Sequence, residues 1–261
     1  MTIAPADKFF DVRITTRVDI ADDLWLIRVD PGGAFNFAPG QYATLGVDAG
    51  KGLVERAYSI VSSPYEREIE FFFELVPQGE LTPLLYRLRP GDTIKARRAA
   101  KGRFTLDMIS GRTNHLLLAT VTGVAPYVSY VRTLRKDWQE KKFPGDHKLY
   151  IVQGASLSRE LGYREELEQL AAELPWLTYI PTISRPWDDR TWEGETGRVD
   201  DIIRKYTDLW ALEAGNTSAY LCGHPEMIEH GKAILRRRGW TKELVKEEVY
   251  FILKHGPNEA G

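Results

Sequence analysis

Arg56, Tyr58 and Ser59 crowd a permanent cation, a flat aromatic and a hydroxyl into four positions of a stretch rich in strand-forming residues. Alternation along a strand sends Arg56 and Tyr58 to one face and Ala57 and Ser59 to the other. The set suits a ligand that is anionic at one end and planar at the other, because a guanidinium forks onto phosphate oxygens and an aromatic face offers a flat apolar platform. A surface strand with an exposed arginine and a packed tyrosine is the competing reading for these residues taken alone. Further on, Thr120-Val121-Thr122-Gly123-Val124-Ala125-Pro126 stands where a strand turns into a helix. Helix-start amides and the positive end of the helix dipole attract phosphate there, although an ordinary strand-to-helix turn has the same composition. Cys222-Gly223-His224-Pro225 repeats the arrangement, with Pro225 near the favoured first helical position. Cys222 admits a nucleophilic reading with His224 near it in sequence, but no further residue supplies the oriented base that a catalytic dyad needs. A small buried thiol is the commoner fate of a lone cysteine.

Two kinds of periodicity must position these residues. Up to about residue 108 the chain reads as six short strands, 9–18, 24–29, 42–47, 56–61, 69–76 and 93–97, rich in β-branched and aromatic residues. Pro31-Gly32-Gly33, Pro39-Gly40, Ser63-Pro64 and Pro90-Gly91-Asp92 separate them, which predicts a closed antiparallel barrel. From His115 the rhythm becomes strand, helix, strand, with strands at 115–119, 148–152, 176–183, 218–222 and 248–253. Apolar positions between them keep helical spacing, as in Tyr127, Val131, Leu134 and Trp138, and in Val199, Ile202, Ile203 and Tyr206. Alternation of this kind predicts an α/β domain on a five-stranded parallel sheet, with ligands outside the carboxyl ends of the strands. The boundary is placed at the flexible Ser110-Gly111, giving domains 1–110 and 111–261.

Composition narrows the partners. The 261 residues carry 35 basic and 37 acidic side chains, a formal charge of −2, so no overall basicity recruits nucleic acid or an anionic membrane. The first 30 residues have no apolar signal core, and no segment approaches the roughly 20 apolar residues of a membrane span, which predicts a cytoplasmic protein. One cysteine rules out an internal disulfide and a four-cysteine iron–sulfur cluster. The five histidines form no i, i+4 pair, so no metal site is expected.

A barrel followed by a parallel α/β domain, with RAYSIVSSP (56–64), IEFFFELVPQGELTPLLYRLRPGD (69–92), ATVTGVAPYVS (119–129) and LCGHPEM (221–227) in that order, resembles the ferredoxin–NADP⁺ reductase family, and more narrowly its bacterial ferredoxin/flavodoxin reductases. The resemblance spans almost the whole chain and implies FAD and NADP(H) as cofactors. It implies that Arg56 meets the FAD pyrophosphate, Tyr58 lies against the isoalloxazine and Ser59 bonds near flavin N5, with Ala57 between them. It also implies a pyrophosphate loop at Lys101, Gly102, Arg103 and Thr105, where glycine permits close backbone approach. Thr122, Gly123 and Pro126 belong to the NADP turn, in which Val121 replaces the family's usual glycine. The resemblance also implies that Cys222 and Gly223 would lie at the nicotinamide and that Arg185 and Arg198 would take the 2′-phosphate, while a third arginine of the relatives is Ser156 here, with Arg159 the nearest replacement. On the last strand Glu248 is a candidate proton relay, and the resemblance implies that Tyr250 would cover the nicotinamide side of the flavin and that Phe251 would stack on the FAD adenine.

The implied activity passes electrons between NADP(H) and a one-electron carrier, ferredoxin or flavodoxin, in a monomer. An acidic carrier would dock on Arg97, Arg98, Lys101 and Arg103, a run that is equally consistent with a solvated face. A flavin reductase or oxygenase reductase component, and a non-catalytic flavin-binding subunit, are the alternative readings of the same fold.

Overall fold

The computed structural model describes residues 8–249. Tyr250 and Phe251, both expected at the site, lie outside the described residues. The first six strands are β1 (Phe9–Ala21), β2 (Leu24–Asp30), β3 (Tyr42–Asp48), β4 (Leu53–Ser59), β5 (Ile69–Glu74) and β6 (Thr93–Arg97). They pair antiparallel in the order β4-β3-β6-β1-β2-β5. The barrel closes where the chain beyond β4 meets β5, through an Ile60–Phe71 bridge and a bond from Val61 N to Glu70 O at 2.9 Å. Val12, Ile14, Trp25, Ile27, Leu45, Phe71 and Phe73 fill it. A short helix, α1 (Thr82–Arg87), with a proline in its first turn, interrupts the strands after β5.

β5 explains its own sequence. Ile69 through Phe73 are all buried, so polarity does not alternate as it does on a strand with one wet face. Phe71 and Phe73 point into the barrel, whereas Phe72 packs into a cluster with residues of the second domain. Between them Glu70, only 1 % exposed, accepts from Arg28 Nε at 2.6 Å, Arg132 Nη1 at 3.0 Å and the Tyr163 hydroxyl at 3.0 Å. Arg132 also forks onto Glu166 at 2.7 and 2.8 Å. A carboxylate on a barrel strand thus gathers two groups from the second domain in a buried node, and Ser129 Oγ donating to Ser62 O at 2.8 Å adds a further tie.

The second domain comprises β7 (Asn114–Thr120), α2 (Ala125–Gln139), β8 (Lys148–Ala155), α3 (Arg164–Glu173), β9 (Leu177–Ile183), β10 (Glu195–Thr196), α4 (Val199–Leu209), β11 (Thr217–Gly223), α5 (Pro225–Arg237) and β12 (Val245–Val249). All six strands run parallel, in the order β10-β9-β8-β7-β11-β12. The expected five-stranded sheet therefore gains a strand. β10 pairs only Glu195 and Thr196 with the edge of β9, too short a run to leave an apolar pattern. β12 begins at Val245, three residues before the expected start, since half-exposed Lys246 and Glu247 disguise its first turn of pleat. The helical stripes hold, except that Trp138 at the end of α2 is largely at the surface while Tyr127, Val131 and Leu134 are buried.

Order along the sheet reverses at β7, which has β8 on one side and β11 on the other. Crevices outside the carboxyl ends of parallel strands open at such a reversal. Thr120 and Gly223 end the two strands that flank it.

Candidate active site

At that crevice the barrel and the sheet meet. Ser59, the last residue of β4 and buried, donates through Oγ to Glu248 Oε2 at 3.3 Å, a bond that joins the two domains. Glu248 is held in register beside Cys222 by the β11–β12 pairing, so Ser59, Cys222 and Glu248 converge although 189 residues separate the first from the last. Cys222 is fully buried. Burial pushes the Glu248 carboxyl up to about 7, against the smaller opposing effect of the Ser59 hydroxyl. This carboxyl therefore carries a proton over part of the neutral range.

The turn after β7 is packed tightly onto the turn after β11. A side chain at Gly123 would place its Cβ 2.2 Å from the Cys222 carbonyl oxygen, so only glycine allows this approach. His224 N donates to Thr120 Oγ1 at 2.8 Å, and Gly223, at φ 123°, lies against the same oxygen. Val121 takes φ 43° in this turn, a left-handed conformation that is costly for a β-branched residue. Its side chain is anchored beside Ala155, Leu161 and Ile183. Thr122, Gly123 and Pro126 are buried, and Ala125 opens α2 directly behind them.

On the barrel side, Tyr58 sits edge-on to Phe73 with centroids 4.7 Å apart, and burial raises its phenol well above the ordinary range, so it stays neutral. Arg56 is 40 % exposed; Nη1 donates to Glu55 O at 2.8 Å and Nη2 pairs with the Glu80 carboxylate. Glu80 belongs to the turn that leads into α1, which Thr82 Oγ1 fastens by bonds with Val76 N at 3.0 Å and Val76 O at 3.1 Å. The sequence reading missed this turn, although its Gly79 and the Thr82-Pro83 helix start were visible signals. The Gly102 loop, expected to meet the FAD pyrophosphate, lies on the β3 side of the barrel edge. Lys101 bridges Tyr42, which pairs with Ser59, whereas Arg56 pairs with Leu45 three residues along β3. β3 thus stands between the Gly102 loop and β4. Within that loop Lys101 and Arg103 are exposed, and Thr105 O accepts from Lys246 Nζ at 2.6 Å.

Arg97 does not stand in the open rim expected of it, because it forks onto Glu55 at 2.8 and 2.6 Å. Arg98, Lys101 and Arg103 are exposed, with the Arg98 guanidinium 5.6 Å from the Phe10 ring. Arg185 and Arg198 are exposed at the carboxyl end of the sheet, the first just beyond β9 and the second at the start of α4. The fold also pairs two histidines that the sequence holds 32 residues apart, His115 Nε2 lying 2.8 Å from His147 Nδ1 in a buried contact at the opposite end of the strands. Burial depresses His115 to about 4. Among the described residues no group of three or more metal-ligating side chains occurs, and no helix is long and apolar enough to cross a membrane.

Family models match both halves, one described as an oxidoreductase FAD-binding domain over residues 11–106 and one as an oxidoreductase NAD-binding domain over residues 117–232. The chain is 33 % identical over 226 residues to ferredoxin–NADP reductase A of Sorangium cellulosum, covering 85 % of this chain and 80 % of that protein. It is 32 % identical over 198 residues to the flavodoxin/ferredoxin–NADP reductase of Escherichia coli, covering 74 % and 76 %. Among solved structures, a ferredoxin NADP⁺ reductase from Neisseria gonorrhoeae with bound FAD and NADP superposes with a TM-score of 0.82 at 23 % identity, over 94 % of this chain and 99 % of that one, a likeness of fold.

Proposed function

The chain belongs to the ferredoxin–NADP reductase family, and from that membership we propose that it passes electrons between NADP(H) and a one-electron carrier, ferredoxin or flavodoxin, through bound FAD. The observation that carries the reading is the meeting of Ser59 from the barrel with Cys222 and Glu248 from the sheet at the reversal of strand order. The donor set fits a flavin dinucleotide: a half-exposed guanidinium for the pyrophosphate, a neutral aromatic beside it and a hydroxyl at the domain junction. When bound, a flavin takes up electrons in pairs and releases them singly, which joins a two-electron nucleotide to a one-electron carrier.

The protein's own part is placement and electrostatics. Arg56 and the turn 79–82 hold the pyrophosphate, because helix-start amides have no acceptor within α1 and the guanidinium supplies charge. Tyr58 offers its face as a platform, with Ala57 leaving room beside it. Ser59 donates a hydrogen bond, and Glu248, protonated near neutrality, holds a proton one hydrogen bond away from it. Cys222, fully buried, backs the nicotinamide pocket, and Gly123 and Gly223 let the two turns close tightly over it. Thr122, Gly123 and Pro126 direct the start of α2 at the dinucleotide's phosphates. Arg185 and Arg198 meet the 2′-phosphate and favour NADPH over NADH. The loop of Lys101, Gly102, Arg103 and Thr105, on the far side of β3, offers backbone amides to the pyrophosphate, and its exposed Lys101 and Arg103 form with Arg98 a basic rim that steers an acidic carrier.

The test is a coupled assay with NADPH as donor. Cytochrome c reduction should depend on added ferredoxin or flavodoxin and should slow as salt rises, whereas direct ferricyanide reduction changes less. Cytochrome c reduction that neither carrier accelerates, with ferricyanide still reduced, would overturn the carrier assignment and leave a flavin reductase.

A further inference from the structure

Between β6 and β7 the chain leaves the barrel through Phe104, Thr105 and Asp107, residues that belong to no strand or helix. Their backbone groups take partners from side chains of the second domain. The Tyr130 hydroxyl on α2 donates to Phe104 O, Lys246 Nζ on β12 donates to Thr105 O at 2.6 Å, and Asp107 N donates to the Tyr220 hydroxyl on β11 at 2.8 Å. The Phe104 ring packs against Tyr127 and Tyr220, with centroids 6.1 and 5.8 Å away. Backbone polar groups taken out of water need partners, so the path of this segment is set from across the domain junction.

β12 is the last strand of the sheet and pairs with β11. Lys246 and Glu248 stand two apart on it, so both side chains project to the face that meets the barrel, whereas Glu247 between them pairs with Lys232 of α5 at 2.6 Å. The two barrel segments they reach are neighbours: Glu248 meets Ser59, Ser59 pairs with Tyr42, and Tyr42 bridges Lys101 at the start of the loop that ends in Thr105. Facing Glu248 besides Ser59 of β4 are two buried titratable groups, Cys222 of β11 and the Tyr130 phenol of α2. Burial pushes the Lys246 ammonium below the usual lysine range, with the Asp107 carboxylate opposing, and its nitrogen lies 5.7 Å from the Tyr220 ring centroid. An apolar side chain would cover that ring without the cost of desolvating a charge, so what the lysine adds is the directed bond to Thr105. We propose that Lys246 is a positioning residue: by fastening β12 to Thr105 it keeps Glu248 seated on Ser59 and shielded from water. The proposal rests on the reading of that junction as the site and adds to it the residue that holds it closed.

Difference infrared spectroscopy of the FAD-loaded protein tests it, with the protonated Glu248 carboxyl band identified by its loss in Glu248→Gln. The unsubstituted protein should lose the band at a midpoint of about 7. Lys246→Met keeps an apolar stem but no donor, so water should reach the carboxyl and the midpoint should fall by about one pH unit or more toward 4.5. Lys246→Arg keeps a donor and should titrate with the parent. An unmoved midpoint in Lys246→Met would overturn the proposal, and so would a lowered one in Lys246→Arg, which decides the question if the methionine variant does not fold. A parent band that titrates near 4.5 would remove the shielded carboxyl and the proposal with it. Flavin that NADPH does not reduce, in protein whose three forms titrate as expected, would overturn the functional reading while upholding the part assigned to Lys246.

Discussion

Glu248 is a carboxylate whose environment departs from what its type implies. Its carboxyl is raised to about 7, so in the unfolded chain it ionises near 4.5 while in the folded chain it keeps its proton until near 7. Folding stability is therefore lost as pH rises from about 4.5 to 7, and above that the loss is constant, at most about 3 kcal/mol. Glu248→Gln should be more stable than the parent at pH 8 and indistinguishable from it near pH 4.5, as read by urea unfolding at the two pH values. A substitution that destabilises equally at both would place the carboxylate in a favourable ionic contact instead. Glu248, Ser59 and Cys222 could each be picked from the sequence as carriers of chemistry, but the 3.3 Å bond between the first two is a product of domain packing. The partner of Arg56 was hidden for the same reason. Glu80 is 24 positions away, and one carboxylate among many on the surface gives no sign of which guanidinium it will meet.

Among the elements, the turn from β7 to α2 is where local preference and structure conflict. Val121 at φ 43° carries a left-handed cost of roughly 1–2 kcal/mol, which its packing beside Ala155, Leu161 and Ile183 offsets. Val121→Gly removes both effects, so unfolding free energy in urea should change by less than about 1 kcal/mol, where a helix or strand valine would lose more. A loss of about 3 kcal/mol or more would show that the side chain's packing outweighs the backbone strain. The strands themselves were legible because β-branched and aromatic runs alternate with proline and glycine turns. The exceptions were elements whose formation depends on a neighbour: β10 is two residues added to an edge, and β12 begins on Lys246 and Glu247, which carry no apolar signal.

For the whole molecule, the relation of the barrel to the sheet depends on the buried node at Glu70. Arg28 approaches it from the outer face of barrel strand β2, and Arg132 and Tyr163 from the second domain. Glu70→Ala removes the acceptor that Arg28, Arg132 and Tyr163 share, leaving Arg132 with Glu166, and removing one member of a buried ionic set costs about 3–5 kcal/mol. Calorimetry of that variant should show a lower first transition and a wider separation between the melting of the two domains. A single unshifted transition would mean that the apolar contact around Phe72 alone fixes their orientation.

The central claim is that the two domains bring a flavin dinucleotide and a phosphorylated nicotinamide dinucleotide to one junction. Anaerobic stopped-flow mixing of the yellow protein with NADPH and, in parallel, with NADH tests it most directly. Bound FAD should be bleached by both, with the larger second-order rate constant for NADPH, and Arg185→Glu with Arg198→Glu should reverse the preference. Protein that retains no FAD, or whose FAD keeps its absorbance when either nucleotide is added, would contradict the account.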